Sequence, residues 1–186
     1  MLSVLTRAVE KRHPWTEGHA ERVASLALAV ARSLGWDRRR LAAVQQGAFL
    51  HDVGKLALNP DLLGKPGPLT PVETAQVQTH PLAGVRLVTQ LPDLAHALPC
   101  VLYHHERWDG CGYPTKLLGD AIPLEARLVG IADAFDAMTS RRPYRGPMSF
   151  EAALTEVVRC AGTQFDPVLA RAAVTVWATQ VEKLAV

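Results

Sequence analysis

Apolar residues recur at the 3.6-residue spacing of an amphipathic helix in several segments of this 186-residue chain. One such segment predicts a helix near 17–34, which Thr16 can cap and Gly35 can end. Hydrophobic residues make up 48% of the chain and aromatic residues only 6%, so Ala, Leu and Val must build most of the core. A core of that kind favours packed helices over a sheet, and the sequence therefore predicts an all-α fold.

Capping and stop signals predict the other helices. Asp37 can cap a second helix that ends close to Gly54, which would present His51 and Asp52 at its end. The run Thr70-Pro71-Val72-Glu73 combines a capping box with a proline at the first helical position. Further helices are predicted over 93–105 and 124–138, and after Ser149 and Asp166.

The length of the chain and the absence of an interdomain linker predict one domain over residues 1–186. We expect a bundle of about seven or eight helices with one long loop from Glu106 to Pro123, where glycine and proline are frequent. The 20 basic and 18 acidic residues form no long run of one sign, which argues against binding to duplex nucleic acid. Three cysteines without a CxxC pair, and no apolar run of about 18 residues, predict a cytoplasmic chain without a membrane span. The oligomeric state is not predicted.

Histidine and aspartate stand next to each other at His51 and Asp52, a pair of ligand types that suits a divalent metal. Alone, such a dipeptide is more often a surface or capping feature. His104 and His105 are adjacent at the expected end of a helix, where both rings can turn toward one site. The alternative for this second pair is a solvated helix end in which the rings bind the last carbonyl groups.

Asp133 lies in the nearly apolar segment 124–138, where a buried carboxylate without a partner costs roughly several kcal/mol. A metal or a buried arginine must therefore lie near it, and an ion pair with Arg127 or with an arginine after Ser140 is the structural alternative. Single histidines such as His19 and His80 are more often capping or partly exposed residues than metal ligands. Together the sequence offers seven potential ligands, enough for two adjacent cations: His19, His51, Asp52, His80, His104, His105 and Asp133.

These residues lie in motifs that closely resemble the HD-GYP family. The motifs are HAERV at 19–23, HDVGK at 51–55, KPGPLT at 65–70, HP at 80–81, HHERWDGCGYP at 104–114 and ADAFDAMTSRRPYR at 132–145. The resemblance covers about residues 10–166. It implies a helical HD-domain fold and a metal-dependent hydrolysis of cyclic di-GMP to linear pGpG, which some members convert onward to GMP.

The resemblance also implies two metal positions that share one bridging carboxylate, Asp52. The first metal position would take its other ligands from His19, His51 and Asp133. The second metal position would take them from His80, His104 and His105. Iron or manganese is expected first, with zinc, nickel or cobalt as alternatives, because histidine and aspartate accommodate all of these ions.

Four further residues match positions that the family uses for its substrate. Lys55 matches a lysine that faces a phosphate, and Arg142 and Arg145 match basic positions that help to hold the ligand. Tyr113 belongs to the predicted loop from Glu106 to Pro123, which is called the GYP loop after the residues Gly112, Tyr113 and Pro114. Two adjacent metals would share a hydroxide, whose parent water would have its pKa lowered toward about 7, so that no side-chain nucleophile is required.

One departure from part of the family concerns the number of metals. Some members carry a glutamate four residues before the first-helix histidine, where it helps to recruit a third metal, and Trp15 stands at that position here. An indole offers no usable lone pair, so we expect a two-metal site and accumulation of pGpG with little GMP. Glu10 and Glu17 are the nearest carboxylates, and neither has the four-residue spacing.

Two alternative functions follow from the same residues. The chain could keep the pocket but act as a binding or adaptor module, with the GYP loop as a contact surface for a diguanylate cyclase. It could also hydrolyse another cyclic dinucleotide or a nucleotide monophosphate. The intact set of seven ligands favours an enzyme over the adaptor.

Overall fold

The chain is helical, and the computed structural model describes residues 2–12, 17–141 and 146–184. The α-helices are, in chain order, α1 (Leu2–Arg12), α2 (His19–Ser33), α3 (Arg38–Leu50), α4 (Pro60–Leu63), α5 (Pro71–Val77), α6 (His80–Val88), α7 (Leu98–Tyr103), α8 (Leu124–Thr139), α9 (Phe150–Arg159) and α10 (Pro167–Leu184). Short 3₁₀ helices cover Val53–Ala57, Pro92–Ala97 and Gly119–Ala121. These described ranges contain no β-strand, and eight of the α-helices are seven residues or longer. The predicted all-α class is therefore confirmed.

The capping signals predicted at Thr70 and Asp37 are confirmed as hydrogen bonds, whereas the predicted cap Thr16 lies outside the described residues. The Thr70 hydroxyl accepts the backbone N–H of Glu73 at 3.3 Å, and the Glu73 carboxylate accepts the backbone N–H of Thr70 at 2.7 Å. The Asp37 carboxylate accepts the N–H of Arg40 at 2.8 Å and starts α3. Each bond satisfies a backbone donor that the first helical turn leaves without an internal partner.

Two predicted helices differ from the structure, because one is divided into two elements and the other ends earlier. The segment 93–105 is not one helix, because it divides into the 3₁₀ helix Pro92–Ala97 and the short α7. Pro99 has no N–H and stands in the first turn of α7, where proline is tolerated, whereas a helix running through it would lose a hydrogen bond. α3 ends at Leu50 rather than close to Gly54, so His51 and Asp52 lie in the bend before the next 3₁₀ helix.

α1 and α4 are elements that the apolar spacing does not predict. α1 packs on α3 and on the 3₁₀ helix Val53–Ala57 that follows it. The Thr6 hydroxyl donates to the carbonyl oxygen of Phe49 at 3.2 Å, and the Arg12 guanidinium donates to that of Leu56 at 2.6 Å. The N-terminal helix is thus attached to the segment that contains His51 and Asp52.

The buried apolar residues form two clusters. The larger one joins α2, α3, α8, α9 and α10 around Phe135 and Trp177, whose ring centroids lie 4.4 Å apart. The smaller one joins the end of α3 to α6, α7 and the 3₁₀ helix before α7 through Leu50, Val53, Val88, Leu94, Ala97 and Val101. The C-terminal end of α3 therefore lies where the two clusters meet. Ala, Leu and Val make up most of the buried residues in both clusters, as predicted.

Two further observations concern the cysteines and the apolar character of the helices. Cys100, Cys111 and Cys160 are all free thiols, and Cys111 is the exposed one. Of the helices described here, none combines the length and the apolar character that crossing a membrane requires.

Candidate metal centre

Asp52 lies at the middle of a cluster of histidines, and its two carboxylate oxygens face different neighbours. Oδ1 lies 3.4 Å from His80 Nε2 and 4.0 Å from His104 Nε2. Oδ2 lies 3.5 Å from His51 Nε2 and 2.5 Å from Lys55 Nζ. Two sets of possible ligands share this aspartate, and within each set the ligand atoms lie within 4.8 Å of one another. The sets are His19, His51 and Asp52, and Asp52, His80, His104 and His105.

A direct backbone contact brings His80 to Asp52. Gly54, two residues after Asp52, lies against the first turns of α6 so closely that a Cβ atom would collide with the carbonyl oxygen of His80 and the backbone of Gly84. Any side chain at position 54 would push α6 away from the bend. The glycine of the HDVGK motif therefore sets how closely α6, which begins at His80, approaches Asp52.

Asp133 comes to the cluster from α8. Its Oδ1 lies 3.2 Å from His19 Nε2 and 3.9 Å from His51 Nε2. The alternative ion pair with Arg127 is wrong, because the Arg127 guanidinium instead donates to Asp120 and Asp166, each at 2.8 Å. The structure thus brings Asp133 to the histidines, as predicted for a ligand of the first metal position.

Three histidines are held in one tautomer by the backbone. The Nδ1 atoms of His51, His80 and His104 lie 2.7, 2.8 and 2.9 Å from a carbonyl oxygen three or four residues earlier. A carbonyl oxygen only accepts hydrogen bonds, so each Nδ1 carries the proton and each Nε2 keeps its lone pair. All three lone pairs are directed toward Asp52.

Asp136 is a residue of the site that sequence reasoning missed. It is buried on α8, and its carboxylate accepts a hydrogen bond from His19 Nδ1 at 2.7 Å and one from Arg22 Nε at 2.6 Å. This bond turns His19 Nε2 toward Asp133, in the way that carboxylates orient metal-binding histidines. Its spacing of three residues from Asp133 puts both carboxylates on one face of the helix, a signal that was available in the sequence.

The carboxylates dominate the charge of the first metal position. Burial disfavours the charged form of His19, but the hydrogen bonds to Asp133 and Asp136 outweigh it and raise the pKa of His19 to about 9. Burial likewise opposes ionisation of Asp52, yet the positive charge of Lys55 beside it holds its pKa well below the usual value. Asp52 is therefore anionic at every pH near neutrality.

The histidines of the second metal position show the opposite shift. Burial lowers the pKa of His80, and burial together with neighbouring histidines lowers that of His104 further. Burial is also the main cause that brings the pKa of His105 to about 4. All three imidazoles are neutral near pH 7, which is the form that binds metal.

Two buried atoms of the cluster test whether divalent cations fit these residues. His51 Nε2 and Asp52 Oδ1 are both inaccessible to solvent and have no hydrogen-bond partner. Buried polar atoms without a partner are rare and costly in folded proteins. A cation in the first ligand set would satisfy His51 Nε2, and one in the second would satisfy Asp52 Oδ1, so the donor set fits divalent metals of borderline hardness.

The GYP loop and α8 border a cavity of about 370 Å³ beside the cluster. His104, His105, Tyr113 and Asp133 line it. Tyr113 thus borders a cavity, and its contact with a substrate stays a prediction. Lys55 lines a different, smaller cavity of about 20 Å³, together with Glu10, His19 and Asp52.

Three residues named in the predictions of the site and its metals cannot be placed. Arg142, Arg145 and Trp15 lie outside the described residues. Of the two carboxylates considered as substitutes for a third-metal glutamate, Glu17 is exposed, whereas Glu10 lines the small cavity next to His51 and Asp52.

Known proteins resemble the chain in sequence over most of its length. Residues 3–169 match the HD domain family. The cyclic di-GMP phosphodiesterase response regulator RpfG of Xanthomonas campestris is 42% identical over 168 residues, which are 89% of this chain and 44% of the relative. The 3'3'-cGAMP-specific phosphodiesterase 2 of Vibrio cholerae is 36% identical over 177 residues, which are 93% of this chain and 34% of the relative. The chain thus spans less than half the length of these relatives.

A solved structure supports the fold. The crystal structure of the cyclic GMP-AMP specific phosphodiesterase V-cGAP3 of V. cholerae superposes with a TM-score of 0.71 at 20% sequence identity. The superposition covers 94% of this chain and 47% of the V. cholerae chain. The family match, the helical fold and the clustered His and Asp residues agree with the motifs of the sequence. The chain therefore belongs to the HD-domain family, and its motifs identify it as an HD-GYP member.

Proposed function

We propose that this chain is a metal-dependent phosphodiesterase domain that hydrolyses cyclic di-GMP to linear pGpG, with little GMP. The observation that carries the proposal is the pair of ligand sets that meet at Asp52, one on each carboxylate oxygen. The relatives named for cyclic dinucleotide hydrolysis support the same reaction class. We further propose that residues 1–186 form one catalytic domain, acting in the cytoplasm.

The metal ligands in this proposal are those of the two ligand sets, together with Asp133. Two divalent ions, with iron or manganese as the first candidates, would lower the pKa of water and offset charge on the reacting phosphate. Asp52 would join the two positions, since its oxygens point to different histidines. Asp133 would add a second anionic ligand beside His19.

Lys55 would act on the phosphate as a fixed positive charge. Its ammonium group is half-buried next to Asp52 Oδ2, within reach of a phosphate that binds over the metals. A lysine serves this purpose as a point charge, whereas an arginine offers a planar pair of donors. Arg142 and Arg145 are proposed to bind phosphate or guanine acceptors in that planar manner.

The large cavity beside His104 and His105 would take the nucleotide. Its volume of about 370 Å³ lies within the range of small-molecule sites. Tyr113 and Trp108 line it and offer aromatic surface to a base. A diguanylate cyclase that contacts the GYP loop remains a proposed partner.

A second substrate is favoured by one specific observation. Relatives specific for 3'3'-cGAMP match the chain at 36% identity, close to the 42% of RpfG. The two substrates differ in one purine base, so the metal centre would treat their phosphodiester bonds alike. The choice between them would lie in the base contacts of the large cavity.

A nucleotide panel tests the proposal directly. Protein loaded with manganese or with iron under anaerobic conditions is incubated with cyclic di-GMP, 3'3'-cGAMP and a nucleoside monophosphate, and the products are separated by chromatography. We expect cyclic di-GMP to be converted to pGpG that accumulates. Faster hydrolysis of 3'3'-cGAMP than of cyclic di-GMP would assign 3'3'-cGAMP as the substrate. Rapid conversion to GMP would contradict the proposed product. Binding without hydrolysis by either metal form would favour the adaptor function.

A further inference from the structure

His105 differs from the other histidines of the cluster in how its ring is held. The rings of His19, His51, His80 and His104 each have an Nδ1 atom fixed by a carboxylate or a carbonyl oxygen. The His105 ring makes no such hydrogen bond within the described part of the chain. Another contact must therefore set its orientation if it is to bind metal reproducibly.

The aromatic ring of Tyr113 makes that contact. It stacks on the His105 ring with a centroid distance of 4.7 Å and an interplanar angle of 27°. The ring of His104 lies on His105 as well, with a centroid distance of 4.0 Å. The ring of His80 meets its edge at a centroid distance of 5.0 Å, so His105 is confined by two histidines of the cluster and by one residue of the GYP loop.

The loop backbone brings Tyr113 back to His105. The Tyr113 N–H donates to the carbonyl oxygen of His105 at 3.2 Å, eight residues earlier in the chain. Gly112 makes this return possible, because a Cβ atom at that position would lie 2.6 Å from the same carbonyl oxygen. The glycine and the tyrosine of the GYP motif therefore act on the same residue.

Side-chain and backbone bonds keep the loop in place. The buried Glu106 carboxylate accepts hydrogen bonds from the N–H and the hydroxyl of Thr115, at 2.7 and 2.8 Å. The Trp108 N–H donates to the carbonyl oxygen of Gln164, in the turn between α9 and α10, at 3.1 Å. The stacked ring of Tyr113 is consequently part of a braced segment.

We propose that Tyr113 is a positioning residue whose ring holds the His105 imidazole in place for the second metal position. The ring, and not the hydroxyl, performs this role, since the hydroxyl has no hydrogen-bond partner among the described residues. The inference rests on the proposed metal centre and adds to the substrate contact proposed for Tyr113. It gives the GYP loop a function in metal binding.

Metal-binding isotherms of three variants test the role. We expect Tyr113→Phe to bind both ions like the parent, because the ring is retained. Tyr113→Met keeps apolar bulk but loses the flat ring, and its affinity at the second position should fall about 10- to 100-fold, as for other losses of ligand-orienting contacts. Gly112→Ala displaces the loop backbone and should weaken the same position. In each variant the first position serves as an internal reference.

Controls separate the inference from the proposed function. Cys111→Ser changes an exposed loop side chain and should leave both affinities unchanged. Cobalt-loaded Tyr113→Met should also show an altered visible spectrum, because the geometry at His105 changes. If the parent binds no metal, the proposed function fails. If the parent binds two ions and Tyr113→Met binds them equally well, or if Tyr113→Phe is as weak as Tyr113→Met, the positioning role is wrong.

Discussion

The two halves of the proposed metal centre are built from the same residue types in different surroundings. The carboxylate-rich half consists of His19, His51 and Asp133, with Asp136 behind His19. The imidazole-rich half consists of His80, His104 and His105, which form a ligand set with the shared Asp52. The first half rests mainly on the long helices α2, α3 and α8, and the second on short helices and the GYP loop.

The difference shows that neighbours, and not residue type, decide the charge of an imidazole. Two carboxylates raise the pKa of His19 to about 9 against the effect of burial. Burial lowers the pKa of His105 to about 4, because the charges of Asp133 and Asp52 act on it without a hydrogen bond to its ring among the described residues. Near pH 7 and without metal, His19 is a cation while His105 is neutral, so the two halves must take up metal with different proton balances.

Removing the shared residue should have the largest effect, because it belongs to both halves. We expect Asp52→Ala to abolish hydrolysis and to lower the metal content at both positions, since the bridging carboxylate also screens the repulsion between the ions. Elemental analysis of purified protein measures the content. Asp61→Ala, an exposed change on α4, is the control. Unchanged metal in Asp52→Ala would refute the bridging role.

Lys55 contacts the shared carboxylate but belongs to neither half. We expect Lys55→Ala to keep both metals and to lower kcat about 10²- to 10³-fold, the usual cost of removing one group that stabilises charge in the transition state. Parallel measurements of kcat and metal content show whether Lys55 acts on the substrate without binding metal. Lys65→Ala, which breaks only the ion pair with Glu73, is the matched control. Loss of metal in Lys55→Ala, or full activity, would reject the role.

Asp136 distinguishes the halves most directly. Asp136→Asn keeps a possible acceptor for His19 Nδ1 but removes the charge, and we expect about 10-fold weaker metal binding at the first position alone. Ser140→Ala provides the control, because the Ser140 hydroxyl contacts Asp136 at 3.2 Å without contacting His19. Equal weakening at both positions would show that the halves are not independent.

The smallest predicted effect is a proton count. His19 in the metal-free protein holds its proton up to about pH 9, so metal binding near pH 7 should release about one proton from it. Above pH 9 this release should disappear. The raised pKa also means that His19 stabilises the metal-free fold below about pH 6.5 and that this contribution is lost as pH rises through about 9. Potentiometric titration of metal uptake measures the release, and its persistence unchanged in His19→Ala would assign it elsewhere.

Local signals in the sequence were sufficient for the helices with clear caps and for the ligand types. The capping box at Thr70, the start of α3 at Asp37 and the apolar spacing of α2 depend on residues within a few positions of one another. Proline at position 99 was an equally local signal, and it divides a segment that had been predicted as one helix. The seven candidate ligands were identified because their motifs occur in the order of a known family, and the structure brings them together.

Tertiary packing alone decided which partner each of these groups meets. Arg127 pairs with Asp166 instead of Asp133, and His19 meets Asp136 across 117 positions of sequence. Such contacts depend on how helices pack, and Gly54 shows how one missing side chain sets that distance. The sequence by itself therefore determined the residue types of the proposed metal centre. The protonation of each imidazole and the stacking of Tyr113 on His105 depend on neighbours that only the folded chain supplies.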